Sequence, residues 1–342
     1  MNANKELMAI RGALRHVAMK WTPSLWLDLK KFLGDETGRL VNTVLGHTEN
    51  GLSYGRIIEV SGWESACKTS IVLTLAACAQ LDGAHVVWGD IENSFEPDWA
   101  IMRGIAKCPK CLNVLPARLT CTECGYDKNV DGSEGAGYDV NRFTLIQPYV
   151  GTFTYVNKQG KVVAEKEPRQ STGQELMEEV EACMKMQRKV KKVFAVVDSA
   201  AAILTEGEED AGISGAKMNT NMALAMFLGR LCRRWVGLAQ SHNALIIFIN
   251  QLREGPVKFG DSTKTVGGNA LRFYSHVRIR VSRVAGSRMT QGTKTLGIKG
   301  KLVAKKNKSG GQEGSSCGFR LWFYKPLVEF VDVKDVTGES GE

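Results

Sequence analysis

Five short, nearly unbroken apolar runs recur along the chain, at Arg56–Val60, Val86–Trp88, Phe143–Ile146, Val193–Val197 and Leu245–Ile249. Each is too short for a buried helix and lacks the in–out alternation of a half-solvated strand. Helical patterns separate several of them, at Ser70–Leu81, Gly173–Arg188 and Met222–Ala239. Parallel strands need a crossover long enough to hold a helix, and helices then cover both faces. The pattern therefore predicts an α/β fold built on a mainly parallel central sheet. The 342 residues suffice for one such domain plus a small module.

Two segments break the rhythm. Residues 107–138 are rich in Cys, Gly and Asp, and 149–170 reads as a hairpin turning near Lys158–Gly160. Both are expected to be insertions in a core spanning 36–335. Residues 1–35 are expected to be helical, with Leu7, Ile10, Leu14, Val17 and Trp21 at helical spacing, and to serve as a polymerisation element. After Phe273 strand-like runs return (HVRIRVSRV, KGKLVAKKN, FRLWFY, LVEFVDV), and 336–342 is expected to be a disordered tail. No secretory leader and no membrane-spanning run is expected.

The first strand runs straight into SGWESACKTS. Gly62, Lys68 and Thr69 hold the positions of G-x-x-x-x-G-K-[ST], a loop whose N–H groups face phosphate oxygens at the start of a helix. The loop spans Gly62, Glu64, Ser65, Ala66, Cys67, Lys68, Thr69 and Ser70. Lys68 would reach the outer phosphates of a nucleotide and the Thr69 hydroxyl would hold Mg²⁺. Cys67 stands where the second glycine is expected; a right-handed helical φ there would accommodate it. KVFAVVD ends in Asp198, a second ligand for Mg²⁺, and HVVWGDIEN ends in Asp90 and Glu92, of which a carboxylate beside the γ-phosphate would orient water.

Cys108-Pro-Lys-Cys111 and Cys121-Thr-Glu-Cys124 form C-x₂-C-x₉-C-x₂-C, the spacing of a closed four-thiolate site for structural Zn²⁺. The other five cysteines are scattered, which suits a reducing cytosol. The net charge is +9, and from Ser262 to Gln312 twelve Lys or Arg occur without one Asp or Glu, a local field suited to phosphates. Lys258, Phe259, Lys264, Gly267, Gly268 and Arg272 are the candidate contacts to nucleic acid there. The helical cluster Arg230, Arg233, Arg234 could add to them, although a solvated helix face is the better account of it. No base-reading set stands out, so little sequence specificity is expected.

Taken together, GLSYGRIIEVSGWESACKTS, DIENSFEPDWA, GYDVNRFTLIQP, STGQELMEEVE, VVDSAAAIL, IIFINQLR, GPVKFGDSTKTVGGNALRFY and KKNKSG resemble the bacterial RecA recombinase family over roughly 41–331, apart from the two insertions. The resemblance implies a RecA-like P-loop ATPase core using ATP and Mg²⁺. It places catalytic roles on Glu92, Lys68 and the sensor amide Gln251. It puts adenine contacts on Glu96 and Trp99, and lysines reaching ATP across a subunit interface on Lys306 and Lys308. Phe273 falls on an interface phenylalanine, Gly255–Asn269 on the second DNA loop, and Glu206–Met218, which is acidic and poorly matched, on the first. The implied activity is DNA-dependent ATP hydrolysis by homo-oligomeric filaments on single-stranded DNA, pairing that strand with homologous double-stranded DNA in the cytoplasm. No counterpart of the family's C-terminal domain is expected, which would be similar to phage-encoded recombinases acting in a bacterial host cytoplasm. A ring motor and a weakly ATP-binding recombination mediator are the alternatives.

Overall fold

The structure, a computed structural model, describes residues 25–105, 143–151, 154–156, 162–164, 169–186, 192–205, 220–255, 263–325 and 328–337. The five apolar runs form β1 (Ile57–Gly62), β2 (His85–Asp90), β3 (Phe143–Ile146), β4 (Val193–Asp198) and β5 (Ala244–Glu254). A short β6 (Thr263–Thr265) pairs antiparallel with β5, and β7 (Val277–Gln291) joins β1 in parallel. The parallel order is β7-β1-β5-β4-β2-β3. From β7 the sheet continues antiparallel through β8 (Lys294–Asn307), β9 (Ser316–Trp322) and β10 (Glu329–Val331).

Successive residues of the parallel strands feed opposite cores, as the two-residue strand period requires. Trp88, Phe194, Val196, Leu245 and Ile247 pack with α1 (Asp35–Leu45) and α2 (Lys68–Leu81). Val87, Val193, Ala195, Ile246 and Phe248 pack with α4 (Gly173–Met186) and α5 (Thr220–Ser241) on the other face. A side chain buried this completely contributes about 1.5–3 kcal/mol. The shorter helices are α3 (Pro97–Met102), α6 (Ala270–Tyr274), which packs on α5, and α7 (Lys334–Thr337), which packs on β9.

Three expectations change. Residues 25–35 do not continue a helix: Trp26–Leu27 pairs antiparallel with Leu52–Ser53, and Gly34 at φ +83 separates the short helix Lys30–Leu33 from α1. The helical pattern at 1–24 lies outside the described residues. The tail is ordered further than expected, because Val336 in α7 is fully buried, with Gly318 leaving it room. The strands after Phe273 are longer than their apolar parts, since β7 and β8 extend into a ribbon joined at Gly292–Thr293. In 149–170 the expected antiparallel pairing is present, Thr154–Val156 with Val162–Ala164 and Val150–Gly151 with Arg169–Gln170; the Lys158–Gly160 turn lies outside the described residues.

Candidate nucleotide site

The carboxyl ends of parallel strands are where open α/β sheets bind ligands. Register aligns the site there, with Gln251 opposite Gly62 and Asp198 opposite Asp90. Gly62 ends β1 under β7, where a Cβ would lie 2.6 Å from the Val281 carbonyl oxygen, so no side chain fits. The chain then turns through Ser65 at φ +56 and Cys67 at φ +70 before α2 begins at Lys68. Cys67 is therefore left-handed, and the right-handed helical φ that would have accommodated it is not adopted.

A cleft of about 240 Å³ brings together Glu64, Ser65, Ala66, Cys67, Lys68, Thr69 and Ser70 with Glu92, Asp198, Ser199 and Gln251. Thr69 Oγ1 donates to Asp198 Oδ2 at 3.0 Å, and Lys68 Nζ folds back onto the Trp63 carbonyl at 2.8 Å. Glu92 Oε1 accepts from Gln251 Nε2 at 3.2 Å and from the Ser199 hydroxyl. Burial raises the Asp198 carboxyl to about 7; Thr69 and Lys68 hold it down, while Glu92 and Asp90 push the same way as burial. Burial lowers Lys68, with Asp198 and Glu92 opposing. Asp90 is fully buried and structural, accepting from the Phe95 N–H at 2.8 Å and from Gln147 Nε2 at 2.9 Å.

Glu96 is exposed at the N-cap of α3, and Trp99 Nε1 donates to Ser70 Oγ at 3.2 Å. Opposite Trp99 stands Phe323, their ring centroids 6.5 Å apart at 54°. Phe323, Ser199, Arg103 and Arg283, whose Nε donates to the Ser65 carbonyl at 2.8 Å, were all missed by sequence reasoning. An aromatic just past a strand end was the only available signal for Phe323.

Lys306 and Lys308 do not line the cleft of their own chain. Lys306 Nζ caps α6 through the Arg272 and Phe273 carbonyls at 2.8 and 3.1 Å, and Lys308 is exposed. Lys264, Gly268 and Arg272 line a separate cavity of about 600 Å³ together with Arg278, Arg280 and Lys305. Gly267 and Gly268 have positive φ and lie against α5, where a Cβ would meet Leu228 Cδ1 at 2.2 Å and Ala225 Cβ at 2.8 Å, so packing already requires both. Phe273 is 72% exposed. Arg234 is committed to Glu181 through Nε and Nη2, so it serves helix packing. Lys258, Phe259, 206–218 and the cysteines Cys108, Cys111, Cys121 and Cys124 lie outside the described residues. Among the described residues no group of His, Cys, Asp and Glu could hold a metal as a cluster, and no helix is long and apolar enough to cross a membrane.

A strand, a tight loop and a helix, faced by a carboxylate from another strand of the same sheet, define the phosphate-loop class of α/β folds. Within that class the assignment is direct: the RecA N-terminal domain model matches residues 36–110 and 167–312, and the chain belongs to that family. Protein RecA of Clostridioides difficile (strain 630) is 28% identical over 290 residues, covering 84% of this chain and 65% of that protein. Protein RecA of Acholeplasma laidlawii (strain PG-8A) is 28% identical over 318 residues, covering 90% and 76%. The chain thus spans less than two thirds of the C. difficile relative. Among solved structures, the RadB recombinase aligns with a TM-score of 0.46 at 18% identity, covering 83% of this chain and 93% of that one.

Proposed function

We propose that this chain is a DNA-dependent ATPase that forms filaments on single-stranded DNA and pairs that strand with homologous double-stranded DNA in the cytoplasm. The observation that carries the reading is the single cleft holding Lys68, Thr69, Glu92, Asp198 and Gln251. Lys68 and the loop N–H groups take the phosphates, and Glu92, held by Ser199 and Gln251, orients the attacking water. Gln251 lies on the strand leading to the basic Gly-bearing segment, so it can report the γ-phosphate to the DNA contacts Lys258, Phe259, Lys264, Gly267, Gly268 and Arg272. The base rests by Glu96 and Trp99.

Thr69 Oγ1 and Asp198 Oδ2 are adjacent hard oxygen donors, and burial raises the Asp198 carboxyl despite Thr69 and Lys68, so the pair fits Mg²⁺. That ion supplies charge neutralisation to the phosphates. In the assembly Lys306 and Lys308 reach the neighbouring subunit's nucleotide and Phe273 seats in the next subunit. The core spans 36–335 with inserts at 107–138 and 149–170; the gap in the family match between 110 and 167 supports this. Cys108, Cys111, Cys121 and Cys124 hold structural Zn²⁺, on the strength of their spacing alone.

Phosphate release from ATP, with and without single-stranded DNA, tests the reading. Wild type should turn over faster with DNA. Lys68→Ala should abolish turnover, and Glu92→Gln should lower it by about 10²–10⁴-fold while still binding nucleotide. Turnover no higher than that of Lys68→Ala would favour a weakly ATP-binding mediator, the reading that the left-handed Cys67 supports.

A further inference from the structure

Arg103 follows α3 and is fully buried. Its Nη2 donates to the Trp322 carbonyl at 2.9 Å, and its Cζ lies 4.2 Å from the centroid of the Trp99 ring. Among the described residues Nε and Nη1 have no hydrogen-bond partner and no carboxylate pairs with the guanidinium. Burial brings its pKa down only to about 10, so the charge persists at neutral pH. An unpaired buried cation destabilises a fold, whereas Leu or Met would fill the space without that penalty. The Trp99 face offsets part of it.

The two groups Arg103 grips belong to an aromatic pair, Trp99 and Phe323, that stands beside the cleft next to its lining residue Ser70. One is Trp99 itself, tied to Ser70 of α2; the other is the backbone immediately before Phe323. We propose that Arg103 is a positioning residue for the base: it stacks on Trp99, holds the Trp322 carbonyl, and so fixes the Trp99–Phe323 pair as the aromatic surface against which a flat purine packs. This rests on reading the cleft as a nucleotide site.

The test compares Mg-ATP with Mg-tripolyphosphate, which has the phosphates and no base, in equilibrium binding to full-length wild type, Arg103→Met and Arg103→Lys. Thermal melting checks that each variant is folded. Both variants should bind ATP about tenfold more weakly and tripolyphosphate as before. In a Trp99→Leu background the Arg103 substitutions should add no further loss. A folded Arg103→Met with an unchanged ratio of the two affinities would overturn the proposal, as would failure of both variants to fold, which would make Arg103 a structural staple only. Wild type binding the two ligands equally would also overturn it while leaving a phosphate site intact. Wild type binding neither would remove the underlying nucleotide reading as well.

Discussion

Cys67 is the residue where identity and conformation disagree. At φ +70 and ψ +22 its Cβ crowds the backbone, a conformation that costs an L residue about 1–2 kcal/mol and glycine nothing. Cys67→Gly also loosens the unfolded chain, so the net gain is expected to be about 0.5–1 kcal/mol in urea unfolding, accompanied by faster DNA-stimulated phosphate release. A variant no more stable and no faster than wild type would show that the loop tolerates its cysteine. The departure from the glycine pattern was legible in the sequence; the sign of φ was not, because it is set by how the loop enters α2 rather than by the residue. Arg103 was illegible for a different reason. In MRGIAKC it reads as one more exposed cation, and only the packing of β9 against α3 shows that it is buried.

At the level of elements, the parallel strands were readable because both of their faces are covered and the apolar run marks each one. Two of their carboxyl ends, Asp90 and Asp198, were also readable, but Ser61–Gly62 and Asn250–Gln251 are polar or small, so the apolar pattern stops before the ladder does and the extension of β5 to Glu254 was not legible. The β7–β8 ribbon was half-visible, since AGSRMTQGTKTLG faces no core and is held by its own hairpin pairing. The start of α4 follows rules that sequence does express. Thr172 and Glu175 form a reciprocal capping box, with the Glu175 N–H on Thr172 Oγ1 at 3.0 Å and the Thr172 N–H on Glu175 Oε2 at 2.8 Å. Thr172→Ala should lower stability by about 1 kcal/mol in urea unfolding, with the denaturant slope unchanged. Because α4 carries Glu181, which accepts from Arg234 and from Trp235 Nε1 on α5, a larger loss would mean that the cap also sets the α4–α5 contact.

Across the whole molecule, the joint between the parallel and antiparallel halves of the sheet passes through His276. Its N–H donates to the Ile57 carbonyl at 2.7 Å, and its carbonyl accepts from the Lys308 N–H at 3.0 Å. Burial lowers its imidazole to about 4, with the charges of Arg56, Lys308 and Lys306 adding to the fall and a hydrogen bond to the Lys308 backbone opposing it. An unfolded histidine titrates near 6.5, so between about pH 4 and 6.5 the unfolded chain holds the proton that the folded chain refuses. Stability from this group is therefore complete above 6.5 and is lost as pH drops towards 4. The ring is partly exposed, and solvent screening reduces the effect to about 1–2 kcal/mol. Asp198 acts in the opposite sense, because its raised carboxyl keeps its proton in the fold up to about 7 and so favours folding as pH falls from 7 towards 4. The wild-type profile alone can look flat. The difference between wild type and His276→Gln isolates the histidine: measured by urea unfolding at pH 7.5, 6 and 5, the advantage of wild type should shrink by about 1 kcal/mol towards acid. Added salt should reduce the part of that change that comes from Arg56, Lys306 and Lys308. A difference that stays constant from pH 7.5 to 5 would mean that His276 binds its proton equally well in the folded and unfolded chain.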